Sequence, residues 1–231
     1  MAAFDKPLKY LIEQSPDSFA SFALARPVKV IARLERTLRA RRRQVDDTYL
    51  VESGDSRWIW HVEFHRRRQK LEQLGHDVAE AQVRLHRREG HPVLTTVVDL
   101  YGRRSSPFLE PCRVPFGYSG LGEGSLCVYY RVNLRAVAVA FLLETAPPLF
   151  WPLVALTADG RGLEPVERAR HAIEHDPSLS AQQRLDFCAI LYTVAEAEGT
   201  EGRLLDTIFS KELLMRSTFY SRTVKEAKTE G

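Results

Sequence analysis

The stretch RWIWHVEFHRRR, residues 57–68, decides how the rest of the chain is read. Side chains on a strand alternate between faces, so Arg57, Ile59, His61, Glu63 and His65 share one face, and Trp58, Trp60, Val62 and Phe64 the other. Its first half is apolar on both faces, which suits a strand covered on both sides. Its polar groups gather at the C-terminal end, where a strand reaches the rim of its sheet. Glu63 and His65 are therefore candidates for chemistry at that rim; the plainer alternative is a strand end that turns to solvent. His61, one step inward on the same face, reads as a core histidine.

Upstream, Val45–Val51 reads as a partner strand, and Ser53-Gly54-Asp55-Ser56 carries turn chemistry, so the two strands form a hairpin. A three-residue loop, Gly54–Ser56, sets Asp47 opposite Glu63; a two-residue Gly54-Asp55 turn sets Asp46 there instead. Directly opposed side chains have Cβ atoms ~4.5–5.5 Å apart. Two carboxylates at that separation repel unless they share a cation, and hard oxygen ligands suit Mg²⁺.

Downstream, Lys70–Arg88 has apolar residues at helical spacing and ends at Gly90, while Pro92–Leu100 (PVLTTVVDL) is a β-branched run fit for a buried strand. Cys127–Leu134 reads as a further strand. Hairpin, helix, strand in that order predicts an α/β sheet with the helix crossing between parallel strands. Residues 4–24 read as helix broken near Ser15-Pro16, and the six arginines of Arg33–Arg43 fall in a segment that also reads as helical. Helices are expected at 136–145, 164–175, 180–198 and 201–227. The expected organisation is an α/β domain over residues 1–134 followed by a helical region over 135–231.

Composition narrows the class. The 231 residues are 44% hydrophobic and 27% charged, ordinary for a soluble globular protein. Cys112, Cys127 and Cys188 are neither spaced as metal pairs nor even in number, which fits a reducing cytoplasm. MAAFDKPLKY has no apolar core of a signal peptide, so a cytoplasmic protein is expected. Glu144 and the prolines 147, 148 and 152 interrupt the most apolar stretch, Ala136–Leu156, so no membrane partner is expected. Residues 1–110 carry 20 Lys+Arg against 15 Asp+Glu, a net +5, whereas 111–231 carry 13 against 15, a net −2. Sixteen of the first 20 cations are arginine, the side chain best shaped for phosphate, and Arg66, Arg67 and Arg68 directly follow the strand. Nucleic acid, DNA foremost, is the expected partner; a solvated basic surface is the alternative.

An Asp, a hairpin and then Glu-x-(polar) at a strand end is the pattern of the PD-(D/E)XK nuclease superfamily. FDKPLKYL, DDTYLV, WHVEFH, PVLTTVVDLYG, CVYYRVNL and SKELLMRSTFY together resemble the recombination-promoting nuclease family, also described as YhgA-like transposases. Asp5 and Lys9 match its opening Asp-x-x-x-Lys helix, and Val62-Glu63-Phe64 its hydrophobic-Glu-Phe signature. The resemblance implies a restriction-endonuclease-like mixed sheet flanked by helices and a metal-dependent hydrolase of phosphodiester bonds in DNA. It further implies Asp47 and Glu63 as metal ligands for Mg²⁺, with Mn²⁺ as substitute, and the Phe64 carbonyl as a further ligand. Asp47, Glu63 and His65 are then the catalytic set, with Arg66, Arg67 and Arg68 binding nucleic acid. This chain departs from the family at His65, where Gln is usual and the wider superfamily has Lys. His76 and Asp77 stand about where the family helix carries Arg.

Other readings compete. A non-catalytic relative would keep the fold and bind nucleic acid. A protein-interaction module is favoured if the hairpin carboxylates point to opposite faces and the arginines are scattered. His171-Ala-Ile-Glu174-His175 has the H-x-x-E-H spacing of a zinc peptidase helix but no evident third ligand, so it reads as a helix end.

Overall fold

The computed structural model describes residues 5–34, 37–38, 43–44, 47–65, 71–100, 106–116 and 125–221. Their elements, in chain order, begin with α1 (Asp5–Gln14) and α2 (Pro16–Leu24), then β1 (Lys29–Arg33), the two-residue pair β2 (Thr37–Leu38) and β3 (Arg43–Gln44), β4 (Asp47–Ser53) and β5 (Ser56–His65). There follow α3 (Leu71–Glu89), β6 (Val93–Asp99), β7 (Leu109–Phe116) and β8 (Ser125–Val132), and then helices α4 (Val139–Thr145), α5 (Leu163–His175), α6 (Ala181–Ala197), α7 (Gly202–Ile208) and α8 (Lys211–Arg216). Among the described residues no helix is long and apolar enough to cross a membrane.

The protein is α/β. Six strands form a mixed sheet in the order β1-β4-β5-β6-β8-β7. β1, β4 and β5 run antiparallel; α3 then crosses over so that β6 lies parallel to β5, and β8 parallel to β6. The order is helix, three-strand meander, crossover helix and parallel strand. α3 stops where Gly90, at φ +73°, donates its N–H to the His86 carbonyl. Leu74, Val78 and Ala79 of α3 pack on Val97, Val114, Cys127 and Tyr129 of the sheet. The helix comes close enough that a Cβ on Gly75 would lie 2.4 Å from Val114 Cγ2. The opposite face is aromatic: Trp60 stacks on Tyr49 at 5.5 Å and meets Phe19 of α2 at 6.3 Å, and its indole N–H donates to Thr96.

Two elements of the sheet unit differ from expectation. The arginine-rich segment from Arg33 to Arg43 is not helical where it is described: it begins in strand β1 and includes the two-residue strands β2 and β3. Val30 and Ile31 favour the extended chain, and β1 is an edge strand whose outer positions are exposed, which accommodates basic residues. β7 was not expected because LEPCRVPF contains two prolines. It is the other edge of the sheet, where a missing backbone N–H is tolerated.

The chain divides into two compact units, Phe19–Leu134 and Met1–Ser18 with Arg135–Gly231. The first helix therefore belongs with the helical half rather than with the sheet, unlike the expected division. Leu8, Leu11 and Ile12 form its buried stripe, and Tyr10 donates to Asp186 of α6 at 2.6 Å. Residues 148–156 form 3₁₀ turns and are almost wholly buried, so the most apolar stretch of the sequence is core. α6 begins with a capping box between Ser180 and Gln183. The single helix expected over 201–227 is instead broken: α7 ends at Ile208, and Ser210 caps α8 by accepting from the Leu213 N–H.

Candidate active site on the sheet

The hairpin turns on two residues, Gly54 and Asp55, so Ser53 pairs with Ser56 and Asp47 with Val62. Gly54 has φ +56° at the first central position, a conformation that costs glycine nothing. Opposed residues share a face, so Asp47 stands with Val62 and Trp60, on the face opposite Glu63. Asp47 is fully buried; Arg33 Nη2 donates to its Oδ1 at 2.7 Å and the Tyr49 hydroxyl at 3.4 Å. The expectation that Asp47 faces Glu63 as a metal ligand is thereby corrected. A one-residue change in turn length moved it to the aromatic face, where it ties β1 to β4. By count, the shorter turn assigns Asp46 to Glu63, and Asp46 lies outside the described residues. Asp47 and Glu63 on opposite faces is one of the two marks of the interaction-module reading.

His61, Glu63 and His65 share the face covered by α3. His61 is buried, and its Nδ1 lies 3.1 Å from Thr95 Oγ1. Gln82 of α3 donates to that same oxygen and to the Val128 carbonyl, while its own carbonyl accepts from the Cys127 thiol. His61 Nε2 comes within 3.4 Å of Glu63 Oε2 without a directed hydrogen bond. Glu63 itself is 27% exposed, the more accessible of the two.

His65, at the end of β5, lies beside Asp99, at the end of the parallel strand β6. His65 Nδ1 is 3.4 Å from Asp99 Oδ1; Asp99 Oδ2 is 3.9 Å from Arg131 Nη1, and Arg131 pairs with Glu110. The other ring nitrogen, His65 Nε2, is buried and has no hydrogen-bond partner among the described residues. Buried polar atoms without partners are uncommon enough to require a reason. Sequence reasoning did not single out Asp99. The available signal was a carboxylate closing a β-branched run, at the carboxyl end of a parallel strand, where α/β sheets bind ligands.

Cys112 and Cys127 lie on the same face, but burial raises both thiol pKa values above the usual range, so neither is an activated nucleophile. In the helical unit, the His171 and His175 rings stack at 4.0 Å, His175 Nδ1 lies 2.8 Å from the His171 carbonyl, and Glu174 pairs with Arg170. Among the described residues no group of three or more His, Cys, Asp or Glu side chains is disposed to hold a metal. Arg66, Arg67 and Arg68 lie outside the described residues. Several arginines of the sheet unit are engaged: Arg33 with Asp47, Arg57 with Glu52, Arg84 with Glu80, Arg88 with Glu89. Compared with models of known families, with curated proteins and with solved structures, the chain matches none.

Proposed function

We propose that the sheet unit is a nuclease-like domain that hydrolyses phosphodiester bonds, with Glu63 and His65 as its working side chains and DNA as its first substrate. The observation that carries the reading is the position of this pair. Both project from the face covered by α3, at the carboxyl end of β5 and beside the parallel strand β6, within a helix–meander–helix–strand connectivity. The resemblance of VEF and its flanking segments to recombination-promoting nucleases supports it.

Glu63 offers a hard, partly exposed carboxylate to a divalent cation, and Mg²⁺ or Mn²⁺ bound there would supply positive charge against the phosphate oxygens. His65 stands where the family has Gln and the superfamily Lys. Its neutral imidazole can orient a water or accept its proton, as a general base must. Arg66, Arg67 and Arg68 would hold the phosphate backbone without reading sequence.

A non-catalytic, nucleic-acid-binding relative is the second reading, and one observation favours it. Asp47, expected as the second metal ligand, is instead bound to Arg33 on the face opposite Glu63. Plasmid nicking under Mg²⁺ and Mn²⁺, with RNA in parallel, separates the two. Cleavage that Glu63→Ala abolishes supports the nuclease. Salt-sensitive binding with no cleavage under any metal, unchanged by Glu63→Ala, supports the relative.

A further inference from the structure

The proposed site contains a histidine with one nitrogen turned toward a carboxylate and the other without a partner among the described residues. We infer that Asp99 is a positioning residue that fixes His65 in the tautomer carrying its proton on Nδ1, leaving the Nε2 lone pair for the reacting water. The inference rests on the nuclease reading for its catalytic consequence, but its structural part can be examined alone.

The geometry supplies three reasons. Asp99 lies beside the Arg131 guanidinium, and a carboxylate only accepts hydrogen bonds. Its Oδ1 lies 3.4 Å from His65 Nδ1, so the proton of a neutral ring is drawn to Nδ1. The second oxygen is oriented from the other side, with Arg131 Nη1 3.9 Å from Oδ2 and Arg131 anchored by Glu110. Finally, Nε2 is buried without a hydrogen-bond partner among the described residues, on the face that bears Glu63 two residues earlier. A water or a substrate hydroxyl donating to Nε2 would satisfy it. From the ring outward the charged chain is Asp99, then Arg131, then Glu110.

Arg131 also makes the test directional. Arginine is a donor only. In an Asp99→Asn protein the amide oxygen would turn to Arg131 and the amide NH₂ to His65. Donation from that NH₂ to Nδ1 forces the proton onto Nε2 and removes the base. The inverted tautomer has this consequence in Ser-His-Asp triads, where the same exchange costs about 10⁴-fold in kcat.

The experiment uses the full chain with ¹⁵N-labelled histidine, at a pH where imidazoles are neutral. His65 is assigned by the resonances lost in His65→Gln. The expected spectrum shows protonated Nδ1 and bare Nε2 in the wild type, and the reverse in Asp99→Asn. Asp99→Ala, offering neither donor nor acceptor, should return a mixture of tautomers. Nicking by Asp99→Asn should fall ~10²- to 10⁴-fold in kcat with KM little changed. The same tautomer in wild type and Asp99→Asn, or a mixture in the wild type, overturns the inference. Wild type inert on DNA and RNA with either metal overturns the nuclease reading instead, a failure marked by absent cleavage rather than by an unmoved tautomer.

Discussion

Arg33 and Asp47 are joined across β1 and β4 by a 2.7 Å ion pair in which the Asp47 side chain is fully buried and the Arg33 side chain 38% exposed. Removing the cation takes this counter-ion from a buried charge, whereas converting Asp47 to its amide removes the charge as well. Arg33→Ala should therefore destabilise the sheet unit by about 2 kcal/mol, below the ~3–5 typical of a wholly buried pair because Arg33 is partly solvated. Asp47→Asn should cost less than Arg33→Ala. Urea denaturation followed by Trp fluorescence measures both, and the opposite order would show that the pair is not what holds Asp47.

In the helical unit, Asp186 accepts from Tyr10, Ser217, Thr218, Gln182 and the Phe219 N–H. Burial alone would raise its pKa, yet the hydrogen bonds from Thr218, Tyr10, Ser217 and the Phe219 backbone outweigh it and hold the carboxyl below its usual value. Because the folded pKa is the lower one, the stability it contributes is fully present above the unfolded value, about 4, and is lost as pH falls through the folded value. Asp186→Asn should lower the thermal midpoint at pH 7 and flatten its decline in acid. A decline as steep in the variant as in the wild type would assign the acid sensitivity to other groups.

Gly75 faces Val114 so closely that an added methyl would overlap its Cγ2. An exposed helical Gly→Ala exchange normally stabilises by up to about 1 kcal/mol. Here the sign should reverse, with Gly75→Ala destabilising by about 1–3 kcal/mol through overpacking of α3 on the sheet. Calorimetry of the pair decides it, and Gly75→Ala with Val114→Ala should recover part of the loss.

How far the sequence could be read depends on the kind of signal each element gives. β5 is legible because its alternation is strong and ends in charge, and α3 because its apolar spacing ends at Gly90. The hairpin register was ambiguous, since Gly54-Asp55 and Gly54–Ser56 are both good turns. Because strand faces alternate, that single residue decides whether Asp47 or Asp46 is assigned to Glu63. β1 was hidden because an edge strand with an exposed outer row has no apolar alternation, and arginine is a good helix former. β7 was hidden by Pro111 and Pro115, which an edge tolerates and a central strand does not. Asp99 became visible only when β6 was laid parallel to β5, because 34 residues separate it from His65.

On the proposed function, the face carrying Glu63 and His65 works on nucleic acid and the face carrying Asp47 supports the fold. Plasmid nicking under Mg²⁺ and Mn²⁺, measured beside thermal midpoints for wild type, Glu63→Ala and Asp47→Asn, tests it most directly. Glu63→Ala should lose cleavage with its midpoint nearly unchanged, and Asp47→Asn should lose stability while its folded fraction still cuts. Cleavage retained by Glu63→Ala and abolished in a fully folded Asp47→Asn would reverse these roles.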